Sequence, residues 1–211
     1  MKTAIIGLGS IGSRVAANLT AGDQNVIVSQ RDLNATEFAR KLDGKAEVMP
    51  IDDAVKAADI VILAIWFDAI KDFIGLHRKD LAGKIIVDPS NPIAPDGKGG
   101  FKKIIPADQS SGAIIAGLLP KGVGFVKAFG TLSAESLGKS ANRTPERAVL
   151  FCATNDTKTG QAVAKLIEAS GFAPVSVGGV DQSIRIEVGG DLHEFGKLGR
   201  LVTAKEAEAL L

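Results

Sequence analysis

The chain opens on a run that leaves few choices of fold. Thr3-Ala4-Ile5-Ile6 is short and apolar, and it leads directly into Gly7-Leu8-Gly9-Ser10-Ile11-Gly12. The next stretch places Ile11, Val15, Ala16 and Leu19 on one helical face. A strand, a glycine-rich turn and a helix in that order begin a β-α-β unit. The alternation then continues. Apolar runs at residues 25–29, 46–49, 59–65 and 84–88 are separated by helical patterns at 34–42 and 51–58 and by helical fragments at 69–73 and 79–81. Asn34 stands where an N-cap belongs, and Asp52 and Asp53 stand where a first helical turn favours acids. The runs are continuous and rich in β-branched residues rather than alternating. Strands of a parallel sheet covered by helices on both faces need that pattern. The expected fold class is α/β, a doubly wound and mostly parallel sheet with right-handed crossovers.

In that context the spacing G-x-G-x-x-G carries chemistry. Gly7 permits the tight turn, Gly9 lets the backbone approach a pyrophosphate, and Gly12 lets the helix pack closely on the sheet. The free amides around Ser10 and Ile11 and the helix dipole then face the phosphates. This reading makes the fold Rossmann-like and the ligand a dinucleotide. The end of the second strand selects which one. An acid there would bond a ribose 2′-hydroxyl and repel a 2′-phosphate. Here the stretch is Val28-Ser29-Gln30-Arg31-Asp32, with no acid at Ser29 or Gln30 and Arg31 directly after. An Arg fork suits a phosphate, and Ser29 or Gln30 can donate a second bond, so NADP(H) is the expected cofactor. Asp32 is either a partner for Arg31 or, one position displaced, the acid itself, and an ordinary solvated Arg31 is the bland alternative.

The second half reads less regularly. Four prolines and three glycines make residues 89–110 a long irregular connection, of the kind that is functional or mobile in compact domains. Residues 111–119 are helical and 123–129 strand-like. Residues 133–146 read as a loop. Strand, helix and strand follow at 148–153, 157–170 and 173–177. Glycines break the pattern from 178 to 199, and 203–211 is helical. No linker marks a boundary. We expect a single domain, with a dinucleotide-binding core at 1–147 and a C-terminal α/β extension of the same sheet at 148–211.

Composition excludes several function classes. A net charge of +1 gives no reason to expect nucleic acid or an anionic membrane as partner. One cysteine and two histidines leave little for a metal site, so none is expected. With no disulfide available and no membrane span or signal peptide in the pattern, cytoplasmic residence is the expectation. A homodimer would shield an open sheet edge.

Few titratable residues stand out. His193, between Leu192 and Glu194, has an acid/base neighbourhood but more often packs or caps. His77 lies in a surface-like run, Cys152 in a buried strand. Arg185 and Glu187, two apart, would share a strand face as an ion pair or a substrate clamp. Ser110-Ser111 lacks a base, so no catalytic residue is assigned. Ring-to-ring hydride transfer needs alignment more than acid or base, whereas carbonyl reduction needs a proton donor.

Several motifs together bring a family into view: G-L-G-S-I-G at 7–12, S-Q-R at 29–31, V-D-P-S-N-P at 87–92, K-A-F-G-T-L at 127–132, F-x-P-V at 172–175 and D-L-H-E-F-G-K-L-G-R-L-V-T at 191–203. They span nearly the whole chain. In them it resembles the coenzyme F420-dependent NADP oxidoreductases, in particular their bacterial branch of dinucleotide-binding enzymes. The resemblance implies that Leu8, Gly9, Ser10 and Ile11 bind the pyrophosphate and that Ser29, Gln30 and Arg31 bind the 2′-phosphate. It also implies that Ala64 and Ile65 underlie the path from adenosine to nicotinamide, and that Asn91, Thr131 and Leu132 lie near the nicotinamide. Gly130 departs from the family's usual Asn. Trp66-Phe67 stands where deazaflavin-specific members carry other aromatic and proline residues; these two rings either stack on a flat ligand or serve the core. The expected partner is a small-molecule hydride acceptor of flavin, deazaflavin or quinone type. The other readings are an imine or β-hydroxyacid reductase and a cofactor-binding sensor without turnover.

Overall fold

A computed structural model describes residues 1–30 and 35–211. Strand β1 (Thr3–Ile6) leads into helix α1 (Ser10–Ala21) and returns through β2 (Val26–Ser29), α2 (Ala35–Arg40) and β3 (Ala46–Val48). Helix α3 (Ile51–Ala57) crosses back to β4 (Ile60–Leu63), and α4 (Phe67–His77) leads to β5 (Ile85–Asp88). A hairpin of β6 (Ile93–Pro95) and β7 (Phe101–Lys103) precedes α5 (Ser111–Leu118) and β8 (Gly124–Lys127). Helix α6 (Ala134–Lys139) is followed by β9 (Val149–Cys152), α7 (Thr157–Ala169), β10 (Ala173–Ser176), and the short helices α8 (Ser183–Ile186) and α9 (Ala204–Glu208).

The main sheet has the order β3-β2-β1-β4-β5-β8, and every neighbouring pair is parallel. The chain winds outward from β1 to β3 and then restarts on the other side at β4. That reversal is the topological switch point at which ligands of such sheets bind. The expected α/β class and doubly wound sheet are what the structure contains.

Side chains alternate across the strands, and both faces are dry. Ile5, Val28, Ile62, Val87 and Val126 face α1, α6 and α7, whereas Ala4, Ile6, Ile27, Leu63 and Ile86 face α3, α4 and α5. This two-sided burial is the physical reason for the continuous apolar runs. The C-terminal strands pair with each other in parallel and meet the β8 edge through one antiparallel bridge, Lys127 to Ala153, not through a full ladder. Leu150 and Cys152 of β9 and Val163 and Ile167 of α7 share the cluster that covers β1.

Three regions differ from expectation. The connection at 89–110 contains the antiparallel hairpin, whose turn is held by Asp96 accepting from the amides of Lys98 (2.7 Å) and Gly100 (2.9 Å). Its strands are short and contain Pro95, which an edge tolerates and a strand pattern hides. Residues 133–146 include α6, which buries only Leu137 and so shows no readable period. The two fragments proposed at 69–73 and 79–81 resolve into α4 alone, followed by a turn in which Asp80 and Leu81 both donate to the His77 carbonyl. The Asn34 cap lies outside the described residues.

Candidate functional site

The turn after β1 is held by its neighbours. Gly7 takes φ +93°, and its amide donates to the Ser29 carbonyl at 2.8 Å, joining the ends of β1 and β2. A Cβ at Gly7 would strike the Ala64 carbonyl and lie 2.8 Å from Ile65 Cγ2. One at Gly12 would strike the Gly7 carbonyl and lie 2.9 Å from Ala64 Cβ. Ala64 and Ile65, at the end of β4, thus form the wall against which the loop packs. At Gly9 a Cβ would meet nothing within 4 Å, so this backbone faces open space.

Helix α1 makes its first backbone bond from Ser13 to Gly9 at 3.1 Å. The amides of Ser10, Ile11 and Gly12 precede it and have no carbonyl of their own helix to bond. No acid lies in the first turn and no side chain caps it, so the positive end of the dipole is not neutralised there. Beside it a crevice of about 490 Å³ is lined by Ser10, Ser13 and Arg14 of α1 and by Glu135 and Lys139 of α6. Leu8 and Ile11 turn their side chains partly into the core, leaving their backbone for a ligand.

At the end of β2, Ser29 is buried and its hydroxyl donates to the Met49 carbonyl at 2.7 Å. That proton is not free for a phosphate. Gln30 is half-buried, and Arg31 lies outside the described residues.

Across the switch point, the ends of β5 and β8 are locked together. Asp88 and Lys127 are registered partners, both buried, with Nζ 2.8 Å from Asp88 Oδ2. The same ammonium donates to Ser90 O and to Ser111 Oγ (3.0 Å), so all three of its protons are satisfied. Both residues lie inside the motifs at 87–92 and 127–132, with no role legible from the motifs alone. The signal was a lysine ending an apolar strand, which cannot be buried without a partner. Above this pair, Asn91 Nδ2 donates to Gly130 O (3.0 Å), and Asn91 Oδ1 accepts from Val188 N (2.7 Å). The Asn91 amide is therefore a brace between two loops. A Cβ at Gly130 would lie 2.5 Å from the Pro89 carbonyl, so no side chain fits here without a backbone shift. Leu132 belongs to the core, so its backbone is what remains for a ligand.

The C-terminal segment grips the same loop. His193 Nε2 is 3.0 Å from Gly130 O, and Nδ1 accepts from Phe195 N at 2.9 Å. These two bonds assign the neutral Nε2-H tautomer, and burial depresses the imidazole pKa below its ordinary value. Both ring nitrogens are engaged, so His193 is a structural brace. Glu194 Oε2 accepts from Ser133 N (2.7 Å) and Oε1 from the Ser136 hydroxyl (2.6 Å).

Arg185 and Glu187 do not pair as the strand reading proposed, because Arg185 lies on α8 and Glu187 just beyond it. Arg185 forks onto Asp191 (2.8 and 3.1 Å), while Glu187 is buried and accepts from Ser110 Oγ, Ser111 N and Gly112 N at the start of α5. His77 is buried, not solvated, with its ring 4.4 Å from that of Phe73. Phe67 is core, whereas Trp66 is exposed. Burial pushes the Cys152 thiol up to about 11, which leaves it inert. Cys152 edges a second crevice of about 620 Å³ between α7 and β10, which shares no residue with the glycine-rich loop. Among the described residues, no group of three His, Cys, Asp or Glu is placed to hold a metal, and no helix is long and apolar enough to cross a membrane.

These features fit a dinucleotide. Besides the open backbone at Gly9, the buried hydroxyls of Ser90 and Thr131, at the β5 and β8 ends, have no hydrogen-bond partner within the described protein. A buried hydroxyl without a partner is costly, and a polar ligand at this end of the sheet would supply one.

The chain is 30% identical to a hypothetical protein of Sinorhizobium meliloti, with 96% of this chain and 95% of that one covered and a TM-score of 0.84. Residues 2–92 match the family described as NADP oxidoreductase, coenzyme F420-dependent. The N-terminal part of this chain is similar to that family. A protein from Arthrobacter sp. FB24, named as a candidate F420-dependent NADP reductase, shares the fold at 21% identity and TM-score 0.75, with 87% of each chain covered. The fold of this chain also matches a reductive aminase from Aspergillus terreus solved with NADPH and ethyl levulinate. That match has 17% identity and a TM-score of 0.62, and covers 87% of this chain but only 56% of the aminase. The family is one of NADP-dependent oxidoreductases, and its cofactor is NADP(H).

Proposed function

We propose that this chain binds NADP(H) across the β1/β4 switch point and exchanges hydride with a small flavin-, deazaflavin- or quinone-like acceptor. The observation that carries the reading is the loop at residues 7–12, with an open backbone at Gly9 before the uncapped start of α1. Gly9, Ser10, Ile11 and Gly12 would hold the pyrophosphate by backbone amides, with Leu8 shaping the turn. Gln30 and Arg31 would meet the 2′-phosphate, and Ser29 would fix the strand end through its carbonyl. Ala64 and Ile65 would floor the path to the nicotinamide, and Asn91, Thr131 and Leu132 would flank the ring.

When bound, NADPH would supply a hydride from its nicotinamide and leave as NADP⁺, the acceptor taking up that hydride together with one solvent proton. The protein's part is orientation and exclusion of water. His193, Lys127 and Glu194, the titratable groups around the Gly130 loop, are all held in internal hydrogen bonds. That favours an acceptor needing no protein acid over a carbonyl or imine.

Arg31→Ala tests the cofactor assignment. NADPH affinity should fall by about tenfold or more, as loss of a charged hydrogen bond implies, with NADH affinity little changed. Equal losses would remove Arg31 from the 2′-phosphate. Stopped-flow NADPH oxidation against flavin, deazaflavin, quinone and ferric acceptors tests the reaction. Tight NADPH binding with no turnover on any of them would favour a sensor.

A further inference from the structure

The crevice beside the start of α1 holds a charge that the loop glycines do not account for. Arg14 lies one helical turn after Ser10, on the same face of α1. A long side chain on a helix leans back over the turn that precedes it. Arg14 is thereby directed toward the first turn, and it lines the crevice together with Ser10. Across from it, α6 presents Gly138, where a Cβ would lie 3.2 Å from both Arg14 Cδ and Arg14 Nε. The bare backbone at Gly138 lets the arginine pack close against α6. That helix is itself fixed: Asn18 Nδ2 donates to Leu137 O at 2.9 Å, and the Ser136 hydroxyl donates to Glu194.

The lining is electropositive. Arg14 is exposed and makes no hydrogen bond or ion pair among the described residues. Glu135, the acid of the lining, is engaged with Lys139 at 2.7 Å. Ser13 returns its hydroxyl proton to the Gly9 carbonyl at 2.7 Å. The uncompensated charge is therefore the Arg14 guanidinium, set beside the positive end of the α1 dipole. Two positive features side by side call for an anion. Topology narrows which one. Helix α6 follows the Gly130–Leu132 loop at the β8 end, whereas the proposed 2′-phosphate end lies at β2, on the other side of β1. The crevice is thus on the nicotinamide side of the glycine-rich loop.

We infer that Arg14 is a cofactor-binding residue, whose guanidinium takes the phosphate on the nicotinamide side of the pyrophosphate and adds a charge-assisted bond to those of the loop amides. This rests on the NADP(H) reading and adds a side chain that neither the glycine spacing nor the family motifs assign. The pyrophosphate is common to NADP(H) and NAD(H), so Arg14 raises affinity for a dinucleotide without choosing between the two.

Calorimetry on Arg14→Gln with three ligands tests this. NADP⁺ and NAD⁺ carry the whole pyrophosphate, and adenosine 2′,5′-bisphosphate carries only the 2′-phosphate and the adenosine-side phosphate. Affinity for NADP⁺ and for NAD⁺ should fall by the same factor, about 3- to 10-fold for a charged bond at an exposed site, with the bisphosphate unchanged. Arg14→Lys should recover part of the loss, because an ammonium keeps the charge but not the fork. Added salt should narrow the gap between wild type and Arg14→Gln. The urea midpoint should stay at the wild-type value. An unchanged NADP⁺ affinity overturns the inference. So does an equal loss for the bisphosphate, which would put Arg14 on the adenosine side or in the fold, and so does a loss for NADP⁺ that spares NAD⁺, which would put it on the 2′-phosphate. If the wild-type protein binds the bisphosphate as tightly as NADP⁺, the nicotinamide-side phosphate is not held and this inference falls alone. If the wild type binds neither, the NADP(H) reading falls and takes this one with it.

Discussion

At the residue scale, the loop glycines and His193 make opposite kinds of demand. Gly12 has no room: any Cβ would meet the Gly7 carbonyl, which cannot yield without moving β1 from α1. Gly12→Ala should therefore weaken NADPH binding by at least about tenfold and lower stability by about 1–3 kcal/mol, on the scale of overpacking; calorimetry and urea unfolding would measure the two. Wild-type affinity in the variant would show that the loop is not the phosphate site. His193 makes a demand on pH. Burial holds its pKa below the ordinary 6.5, so the unfolded chain takes the proton first. Its contribution is whole above 6.5 and is lost as pH falls through the folded value, because a second ring proton would face the Phe195 amide. His193→Asn should flatten the slope of unfolding free energy between about pH 7 and 5. An unchanged slope would assign that pH dependence elsewhere.

Among elements, the joint between β5 and β8 is the most exposed to a single change. Lys127→Met leaves Asp88 charged, buried and short of its partner, which should cost about 3–5 kcal/mol. Adding Asp88→Asn removes the orphan charge and should recover part of that loss, as read from urea midpoints of the single and double variants. If the double variant is worse by the sum of two independent losses, the pair is not coupled. This joint also shows what the sequence made legible. Val87 and Val126 were readable as strand because both are apolar among apolar neighbours. Lys127 was readable only as an anomaly, since its partner lies 39 positions away. The hairpin at 93–103 and α6 were illegible for a related reason: each buries too little to impose a period, and each is held by turn bonds and side-chain caps.

For the whole molecule, β9 and α7 contribute to the cluster that covers β1, and the ends of α1 and α7 touch so closely that a Cβ at Gly22 would strike the Ala169 carbonyl. The C-terminal segment should therefore unfold together with the N-terminal sheet. Trp66 reports the first region and Cys152 the second. A thiol held near 11 by burial reacts only once exposed, so fluorescence and thiol labelling should share one urea midpoint. Two midpoints would divide the chain near residue 148 into separate cooperative units.

By itself the sequence determined the parallel sheet, the glycine-rich turn after β1 and the likeness to the NADP oxidoreductase family, because these rest on local facts: unbroken apolar strands, glycines at fixed spacing and motifs of a few residues. Only the tertiary structure decided that Ser29 gives its proton to Met49, that His193 and Glu194 brace the Gly130 loop, and that Phe67 is core while Trp66 meets Phe101 in water. Each of those depends on which distant segments the fold brings within hydrogen-bond or van der Waals reach, and spacing along the chain does not encode that distance.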